Sequence, residues 1–317
     1  MRKILVTGAN GFVGTALYHA LIGRGFAARR AVRRAEAVVT PGADVVVGEI
    51  GPTTDWRQAL QGVDAVIHLA ARAHVMRDAA VDPLADYRRV NVLGTQGLAR
   101  AAADAGVRRM IFLSSIKVNG EKTAGKPYSE QDPPRPQDAY GVSKWEAEQM
   151  LRAIAADSHM EAVVLRPPLL YGPGVKGNFL GLMRVIDRGL PLPLASIHNR
   201  RSLLYIGSLI DAIMLCLNNP MAAGKTYLVA DSEGVSTPDL IRGIASALGK
   251  PARLLPFPPA LLKFAGAVAG KTESVSRLLG SLQIDASSIR RELNWQPCAD
   301  MARGLAETAR WYHQHAH

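Results

Sequence analysis

The stretch KILVTGANGFVG, residues 3–14, decides the fold that the sequence predicts. Its apolar, β-branched start predicts a strand, and its end opens a run with helical spacing that stops at Gly25. Gly8, Gly11 and Gly14 lie between the two. Glycines placed in this way allow a tight turn, a close approach of the backbone to a pyrophosphate, and close helix packing. The free N–H groups of the helix N-terminus favour phosphate, so the stretch predicts a dinucleotide-binding turn.

The same alternation of strands and helices continues through the first 115 residues. Predicted strands cover residues 3–8, 26–32, 43–50, 63–71 and 108–115, and predicted helices cover 12–25, 56–62 and 83–106. Continuous apolar strands that alternate with helices indicate a parallel sheet covered on both faces. The predicted fold class is therefore α/β, a Rossmann-type doubly wound parallel sheet with a smaller, interleaved C-terminal substrate lobe.

The alternation breaks down after about residue 170, where the sequence becomes rich in proline. Prolines cluster in 166–174, in 190–194 and in 256–259, and the helices and strands between them become irregular. We therefore expect a dinucleotide-binding Rossmann domain over residues 1–170 and a substrate-binding lobe over 171–317, interleaved with the last strands of the sheet.

Composition excludes several classes of protein. The 317 residues contain only two cysteines, which argues against a disulfide framework or a thiolate metal site and favours the cytoplasm. The apolar run at 258–270 is interrupted by Lys263 and is too short to span a bilayer, so no integral membrane association is expected. The net charge is +11, but no basic tract is interleaved with aromatic residues, so no nucleic-acid partner is expected.

Tyr140 and Lys144 are the candidate catalytic residues. They lie four residues apart in AYGVSKWEAE and share one face of a predicted helix. A nearby ammonium lowers the pKa of a phenol, so the pair can exchange a proton with a carbonyl or an alcohol. Ser115 ends a predicted strand, where its hydroxyl could hold the same substrate oxygen. Taken alone, such a pair is usually a surface feature, and a serine that satisfies a loop backbone describes Ser114 better than Ser115.

Six motifs occur along the chain in one characteristic order. They are TGANGFVG, HLAA, NVLGT, LSS, YGVSK and RPPLLYGPG. In this order the sequence resembles the extended short-chain dehydrogenase/reductases, in the NAD-dependent epimerase/dehydratase family. The stretches SSIKVNGE, HNRRSL and RLLGSLQ make it similar to bacterial UDP-sugar 4-epimerases and to 4-reductases of UDP-4-keto-6-deoxy-N-acetylhexosamines, the UDP-N-acetylquinovosamine type.

The resemblance implies roles for residues at matching positions. Ser115, Tyr140 and Lys144 would be catalytic, and Asn178, Arg201 and, more loosely, Arg277 would bind a UDP-sugar substrate. For Arg277 a surface salt bridge is the favoured alternative. The cofactor contacts expected from the glycine turn, the basic residues and the resemblance together are Gly8, Asn10, Gly11, Phe12, Val13, Gly14, Arg33, Arg34, Glu49, Ile50, Leu69, Ala70, Ala71, Tyr140, Lys144 and Pro167.

Basic residues follow the second predicted strand, where an NAD-binding protein usually has a carboxylate. That position is Val32, followed by Arg33 and Arg34, and the next carboxylate in sequence is Glu36. A guanidinium can pair with a 2′-phosphate, so NADP(H) is favoured and NAD(H) remains possible. Arg29 and Arg30 are expected to reach solvent from a sheet edge.

Three reactions share the scaffold that the resemblance implies. A 4,6-dehydratase has Asp-Glu after its catalytic Ser or Thr, whereas this chain has Ile116 and Lys117. A 4-epimerase keeps NAD bound, whereas a 4-ketoreductase can use NADPH, so the arginines favour the reductase, acting in surface lipopolysaccharide synthesis. The 4-epimerase is the alternative, and a non-catalytic nucleotide sensor is a minor one. The resemblance also implies a homodimer formed by the helices around 83–106 and 140–155.

Overall fold

The computed structural model describes residues 2–34, 43–73, 82–231, 234–268, 270 and 272–315. Glu36 lies outside the described residues. The strands are β1 (Lys3–Thr7), β2 (Ala27–Val32), β3 (Asp44–Val46), β4 (Ala65–His68), β5 (Arg109–Leu113), β6 (Glu161–Arg166), β7 (Leu169–Tyr171), β8 (Leu203–Tyr205) and β9 (Thr226–Leu228). The helices are α1 (Phe12–Gly23), α2 (Arg57–Leu60), α3 (Pro83–Tyr87), α4 (Gly94–Asp104), α5 (Ala139–Ala156), α6 (Gly177–Asp187), α7 (Ile206–Asn218), α8 (Thr237–Ala247), α9 (Pro259–Val268), α10 (Thr272–Leu279), α11 (Ser287–Leu293) and α12 (Met301–His315).

Seven strands form the central sheet in the order β3-β2-β1-β4-β5-β6-β9, and all neighbouring pairs are parallel. The predicted doubly wound parallel sheet is therefore confirmed. The last strand, β9, comes from the C-terminal half of the chain, and β7 and β8 form a separate two-stranded parallel sheet.

The sheet is apolar on both faces because helices cover both. Alternate residues of β1 show this: Ile4 and Val6 belong to one core cluster with residues of α1 and α7, whereas Leu5 belongs to a second cluster with residues of α4 and α5. Successive side chains of a strand point to opposite faces of the sheet. A strand that is buried on both faces therefore shows no alternation of polar and apolar residues.

The long helix predicted at 83–106 consists of three consecutive segments. α3 leads into a π-helical segment, Arg88–Leu93, and this leads into α4. A π-helical turn holds more residues than an α-helical turn, and its position here brings Asn91 into the candidate site.

The expectation that Arg29 and Arg30 reach solvent from a sheet edge is wrong for Arg30, because β3 covers β2. Arg30 is buried and forms a two-pronged ion pair with the buried carboxylate of Asp44, with Nε–Oδ1 at 2.7 Å. The Asp44 hydrogen bond raises the pKa of Arg30 above its usual value, in spite of the opposing effect of burial. Arg29 donates to the carbonyl oxygens of Gln58 and Ala59.

None of the helices in the described ranges combines the length and the apolar character that a membrane crossing requires.

Candidate active site

The candidate site lies at the carboxyl edge of the central sheet. Gly8 follows β1, Leu69–Ala71 follow β4, Ser115 follows β5 and Pro167 follows β6. Because parallel strands end at a common edge, the chain brings most of the predicted cofactor residues together here. The Ile116 N–H donates to the Pro167 carbonyl at 3.0 Å, which joins the segments after β5 and β6.

Gly8 and Gly14 occupy positions that a side chain would fill. Gly8 has φ +67°, and a Cβ there would lie 2.7 Å from the Ala70 nitrogen. A Cβ on Gly14 would lie 2.1 Å from the Gly8 carbonyl oxygen. The predicted turn is thus required sterically, and α1 begins at Phe12 with Gly11 as an N-cap that offers no side chain to its first N–H groups. This cradle fits a pyrophosphate.

Substituting Gly14 by alanine is expected to abolish cofactor binding and to destabilise the fold. The added Cβ overlaps the Gly8 carbonyl, so the turn or α1 must shift. Isothermal titration calorimetry and urea unfolding measure the two effects. Gly23→Ala is the matched control on the same helix, since a Cβ there meets nothing within 4 Å. Equal cofactor affinity of the Gly14→Ala variant and the unmutated protein would contradict the assignment of this turn.

A buried chain of hydrogen bonds holds the turn against the loop after β4. Thr95 Oγ1 donates to the Asn91 carbonyl at 2.6 Å, so it accepts from His68 Nε2 at 3.0 Å. His68 Nδ1 then accepts from Thr7 Oγ1 at 2.6 Å, and Thr7 Oγ1 accepts from the Ala70 N–H at 3.3 Å. Burial, followed by the charge of Lys144, lowers the pKa of His68 to about 3, so its ring is neutral.

Asn91, from the π-helical segment, connects this series of hydrogen bonds to α5. Its side-chain amide accepts from the Arg72 N–H at 2.8 Å and donates to Ser143 Oγ at 2.9 Å. Ser143 Oγ in turn donates to the Tyr140 carbonyl at 2.8 Å. The backbone around Tyr140 is therefore fixed by the segment that also holds the cofactor turn.

Tyr140 and Lys144 lie in the first turns of α5, which begins after the N-cap Asp138. Lys144 is buried; its Nζ donates to the Leu113 carbonyl at 2.7 Å and lies 4.2 Å from the centre of the Phe112 ring. Leu113 is the last residue of β5, two residues before Ser115. The ammonium is thus held against the strand end that leads to the candidate serine.

The expected lowering of the Tyr140 pKa by Lys144 is wrong for the protein as it stands. Burial, with smaller effects from Asp138 and Tyr87, raises the pKa of Tyr140 above its ordinary value. Burial of Lys144 lowers its own pKa to about 7, against the opposing effect of Glu148. Removal from water therefore dominates both groups, and Tyr140 stays a protonated phenol that can act as a proton donor.

Ser115 is held next to the start of α5. Its Oγ accepts from the Lys117 N–H at 3.3 Å, at the start of a 3₁₀ turn. Lys117 Nζ forms an ion pair with Asp138, and a Cβ on Gly141 would lie 2.9 Å from the Lys117 carbonyl oxygen. The segments that carry Ser115 and Tyr140 are therefore in contact.

A buried ion pair lies beneath the same segment. Glu148 accepts from Arg166 Nε at 2.9 Å and from Nη2 at 2.6 Å, and it also accepts from Ser114 Oγ at 2.5 Å. Arg166 Nη1 donates to Asn119 Oδ1 at 3.0 Å. Ser114 thus bonds a carboxylate rather than a loop backbone, and the pair connects β6, α5 and the residues on both sides of Ser115.

The predicted substrate residues lie outside the elements that carry Ser115, Tyr140 and Lys144. Arg201 donates to the carbonyls of Arg277 at 2.8 Å and Gly280 at 2.9 Å, and its burial lowers its pKa. Arg277 forms an ion pair with Glu121, with Nε–Oε2 at 3.2 Å. Asn178 is exposed in the first turn of α6. The structure thus brings the two arginines together, and their roles toward substrate remain predictions.

The basic residues after β2 are exposed, as a nucleotide contact requires. Arg33 lies 3.5 Å from Glu49, with both side chains mostly exposed, and Arg34 is also exposed. Ile50 is buried beside Gly94. Pairing with Glu49 places the Arg33 guanidinium near the segment after β3.

Two clefts lie outside this site. One, of about 960 Å³, lies between α7 and residues 294–296, and the other, of about 680 Å³, lies beside Lys126 and Arg290. Neither contains a predicted catalytic residue.

Sequence reasoning missed the buried polar residues that support the site, chiefly Asn91, His68 and Glu148. The motifs HLAA and NVLGT contain two of them, so motif position was the available signal. Their partners are distant in sequence; His68, for example, bonds Thr7 and Thr95, and these contacts depend on the fold.

Comparison with known proteins agrees with this architecture. Residues 4–230 match the profile of the NAD dependent epimerase/dehydratase family. A UDP-glucose 4-epimerase of Vibrio cholerae is 45% identical over 99% of this chain and 96% of its own length. An N-acetyl-alpha-D-glucosaminyl-diphospho-ditrans,octacis-undecaprenol 4-epimerase of Escherichia coli O157:H7 is 28% identical over 99% of this chain and 96% of its own length.

A solved structure shows the same fold over the whole chain. MoeE5 in complex with UDP-glucose and NAD is 26% identical, with a TM-score of 0.80 over 99% of this chain and 100% of that protein. With the glycine cradle and the Ser115, Tyr140 and Lys144 segments at one sheet edge, these matches establish that the chain belongs to the NAD-dependent epimerase/dehydratase family.

Proposed function

We propose that the protein is an oxidoreductase that acts at C4 of a UDP-linked hexose and that its main reaction is reduction of a UDP-4-keto-6-deoxy-N-acetylhexosamine. The observation that carries the proposal is the convergence of the Ser115 segment, Tyr140 and Lys144 beside the glycine cradle. A nicotinamide dinucleotide held there would supply the hydride.

The protein's own residues have separate roles in this proposal. Tyr140, a protonated phenol, gives its proton to the sugar O4 as the ketone becomes an alcohol. Ser115 Oγ donates to the same oxygen and holds it in place. Lys144 stabilises the phenolate that remains, because a cation at this position offsets the cost of burying the new negative charge.

The diphosphate of the substrate supplies binding energy away from the reacting carbon. We assign Arg201 to the diphosphate, with Arg277 behind it, and Asn178 to the sugar-nucleotide. A guanidinium bonds phosphate oxygens in pairs and therefore fixes orientation as well as affinity. Remote contacts of this kind place the ketone for reaction.

Dehydration of the sugar does not suit this site. The two positions after Ser115 hold Ile116, which is buried, and Lys117, which pairs with Asp138 and Glu121. A 4,6-dehydratase needs an acid and a base there in addition to the tyrosine. The buried, apolar side chain of Ile116 and the ion-paired ammonium of Lys117 supply neither the acid nor the base.

UDP-sugar 4-epimerisation is the second candidate, and the Vibrio cholerae relative favours it. The reductase is favoured by Arg33 and Arg34, which follow β2 where a carboxylate would be expected to bind the ribose of NAD. The two reactions share the proton transfer at Tyr140 and differ in whether the cofactor is used up.

Two incubations separate the candidates. One contains UDP-GlcNAc alone, and the other contains the UDP-4-keto sugar with NADPH. The reductase oxidises NADPH in a one-to-one ratio with the keto sugar and leaves UDP-GlcNAc unchanged. Formation of UDP-GalNAc, or of UDP-galactose when UDP-glucose replaces UDP-GlcNAc, without added cofactor establishes the epimerase. No reaction with any of these sugars overturns the assignment to C4 chemistry.

The rate of keto-sugar reduction is expected to fall as the pH rises above about 7. Lys144, with its pKa near 7, carries its proton below that pH and loses it above. Without the ammonium the phenolate formed at Tyr140 is less stable, so kcat/KM declines on the basic side. Steady-state kcat/KM, measured at pH values below and above 7, tests this prediction. The slow Lys144→Met variant should lack this decline, and an unchanged decline would exclude Lys144 as its source.

NADPH is expected to bind more tightly than NADH. Replacing Arg33 and Arg34 together by serine should weaken NADPH binding by about 1.5–3 kcal/mol for each charged hydrogen bond that is lost, and leave NADH binding nearly unchanged. Calorimetry measures both. Arg57→Ser, at an exposed arginine paired with Asp55, is the control for a general charge effect. Equal affinities of the unmutated protein for the two cofactors would remove the proposal.

We also propose a homodimer formed through the faces of α4 and α5. Leu93, the last residue of the π-helical segment before α4, is a large apolar side chain that is exposed in the single chain. Light scattering should give twice the 34.0 kDa mass of the chain.

A further inference from the structure

The segment from Leu255 to Val268 exposes an unusual amount of apolar surface. Of the eleven large apolar side chains that are exposed in the described ranges, five lie here. They are Leu255 at 51%, Phe257 at 36%, Leu261 at 51%, Phe264 at 69% and Val268 at 75% of their full exposure. We name these five residues the α9 face. Contiguous apolar patches on soluble proteins usually mark an interaction site.

The exposure follows from how α9 is attached to the protein. Leu262 packs against the main core, and a Cβ on Gly266 would lie 2.6 Å from Val275 of α10. These two residues fix the inner side of the helix. Leu261, Phe264 and Val268 are spaced by three and four residues, so they share the opposite side.

The charged residues of the segment that carries the α9 face have one sign. Residues 250–268 contain Lys250, Arg253 and Lys263 and no Asp or Glu. Lys250 is paired with Asp187 at 3.2 Å, whereas Arg253 and Lys263 lie exposed beside apolar side chains. The whole chain carries a net charge of +11. A helix with an apolar face, basic neighbours and no acids is suited to the surface of an anionic membrane.

We propose that the α9 face docks the protein peripherally on an anionic lipid bilayer. The ten residues of α9 are too few to cross a bilayer, so the helix would lie in the plane of the interface. Phe264 and Val268 enter the boundary between headgroups and acyl chains, while Lys263 and Arg253 meet anionic headgroups. This inference concerns a surface outside the catalytic residues and does not depend on which sugar reaction the protein performs.

The position of α9 relates docking to the site. α9 packs on α10, and the carbonyls of Arg277 and Gly280 at the end of α10 accept from Arg201. A bilayer on the α9 face would therefore lie near the side of the site that we assign to the diphosphate.

Vesicle flotation of the full chain tests the proposal. The probes are vesicles of phosphatidylcholine alone and vesicles that also contain phosphatidylglycerol. We expect clear binding to the anionic vesicles, weakened by salt, and little to the neutral ones. Phe264→Glu should reduce the partition constant at least roughly tenfold, because it puts a charge where the proposed docking inserts a phenyl ring into the lipid. Met221→Glu, at another exposed apolar residue, should leave it unchanged.

Two outcomes would overturn the proposal. The first is equal binding of the unmutated protein and the Phe264→Glu variant to anionic vesicles, or no binding by either, with both folded by circular dichroism. The second is a fall in mass on light scattering when Phe264 is replaced, because the α9 face would then contact a second copy of the chain. Neither measurement uses turnover, so failure of the proposed reaction would leave both results interpretable.

Discussion

Replacing Tyr140 by phenylalanine is expected to lower kcat by about 10²–10⁴-fold, the usual contribution of a positioned acid or base. The ring still fills the space beside Tyr87, whose ring centre lies 6.2 Å away, so packing is preserved. The hydroxyl to which we assign proton transfer to O4 is lost. Cofactor binding should remain, since the glycine cradle is untouched. Single-turnover kinetics and calorimetry measure the two quantities separately.

Tyr87→Phe is the matched control for that variant. It removes a hydroxyl from a buried tyrosine next to Tyr140 and should retain most of the turnover. Full activity of Tyr140→Phe would show that the proton comes from elsewhere. A protein that binds cofactor, turns over no sugar in any assay and is unaffected by Tyr140→Phe would instead fit the non-catalytic sensor.

The second large effect concerns stability. Replacing Arg166 by methionine is expected to lower the free energy of unfolding by about 3–5 kcal/mol, because the Glu148 carboxylate would stay buried without its partner. The side chains of the pair are 3% and 0% exposed. Urea unfolding measures the change. The double variant Arg166→Met with Glu148→Leu should recover part of the loss, since no charge is then left unpaired.

Glu146→Gln, on the same helix α5 as Glu148, is the control for the Arg166→Met variant. Glu146 pairs with Arg88 at 2.6 Å, but both side chains are partly exposed, so water replaces the lost partner and stability should change little. If Arg166→Met lowered the free energy of unfolding as little as Glu146→Gln does, the expected cost of leaving the buried Glu148 carboxylate unpaired would be wrong. The slope of the unfolding curve must be unchanged for this comparison to hold.

The sequence predicted the fold well because local patterns encode it. β1 and α1 follow from apolar spacing and from Gly8 and Gly14, whose structural need is steric. The burial and ion pairing of Arg30 were not predictable from such local patterns. Its pairing with Asp44 depends on β3 lying next to β2, and the sequence pattern of β2 alone does not reveal whether the strand is at an edge.

The candidate site was predictable in its residues and less so in its electrostatics. Tyr140 and Lys144 were found by spacing, since four residues span one helical turn. Their pKa values depend on burial, and burial is a property of the packed protein; for both groups it outweighs the effect of nearby charges. The support from Asn91 was missed for a similar reason, because a π-helical turn aims it at Ser143 and has no clear sequence signature.

The late arrival of β9 in the sheet has a consequence for synthesis on the ribosome. β6 is complete at Arg166, but its neighbour β9 begins only at Thr226, after β7, α6, β8 and α7 have been made. Because synthesis proceeds at about 5–20 residues per second, one edge of β6 stays unpaired for several seconds. Unpaired strand edges attract other strands. We therefore expect nascent chains of this protein to need chaperone protection during that interval, until Tyr227 pairs with Leu165 and closes the sheet.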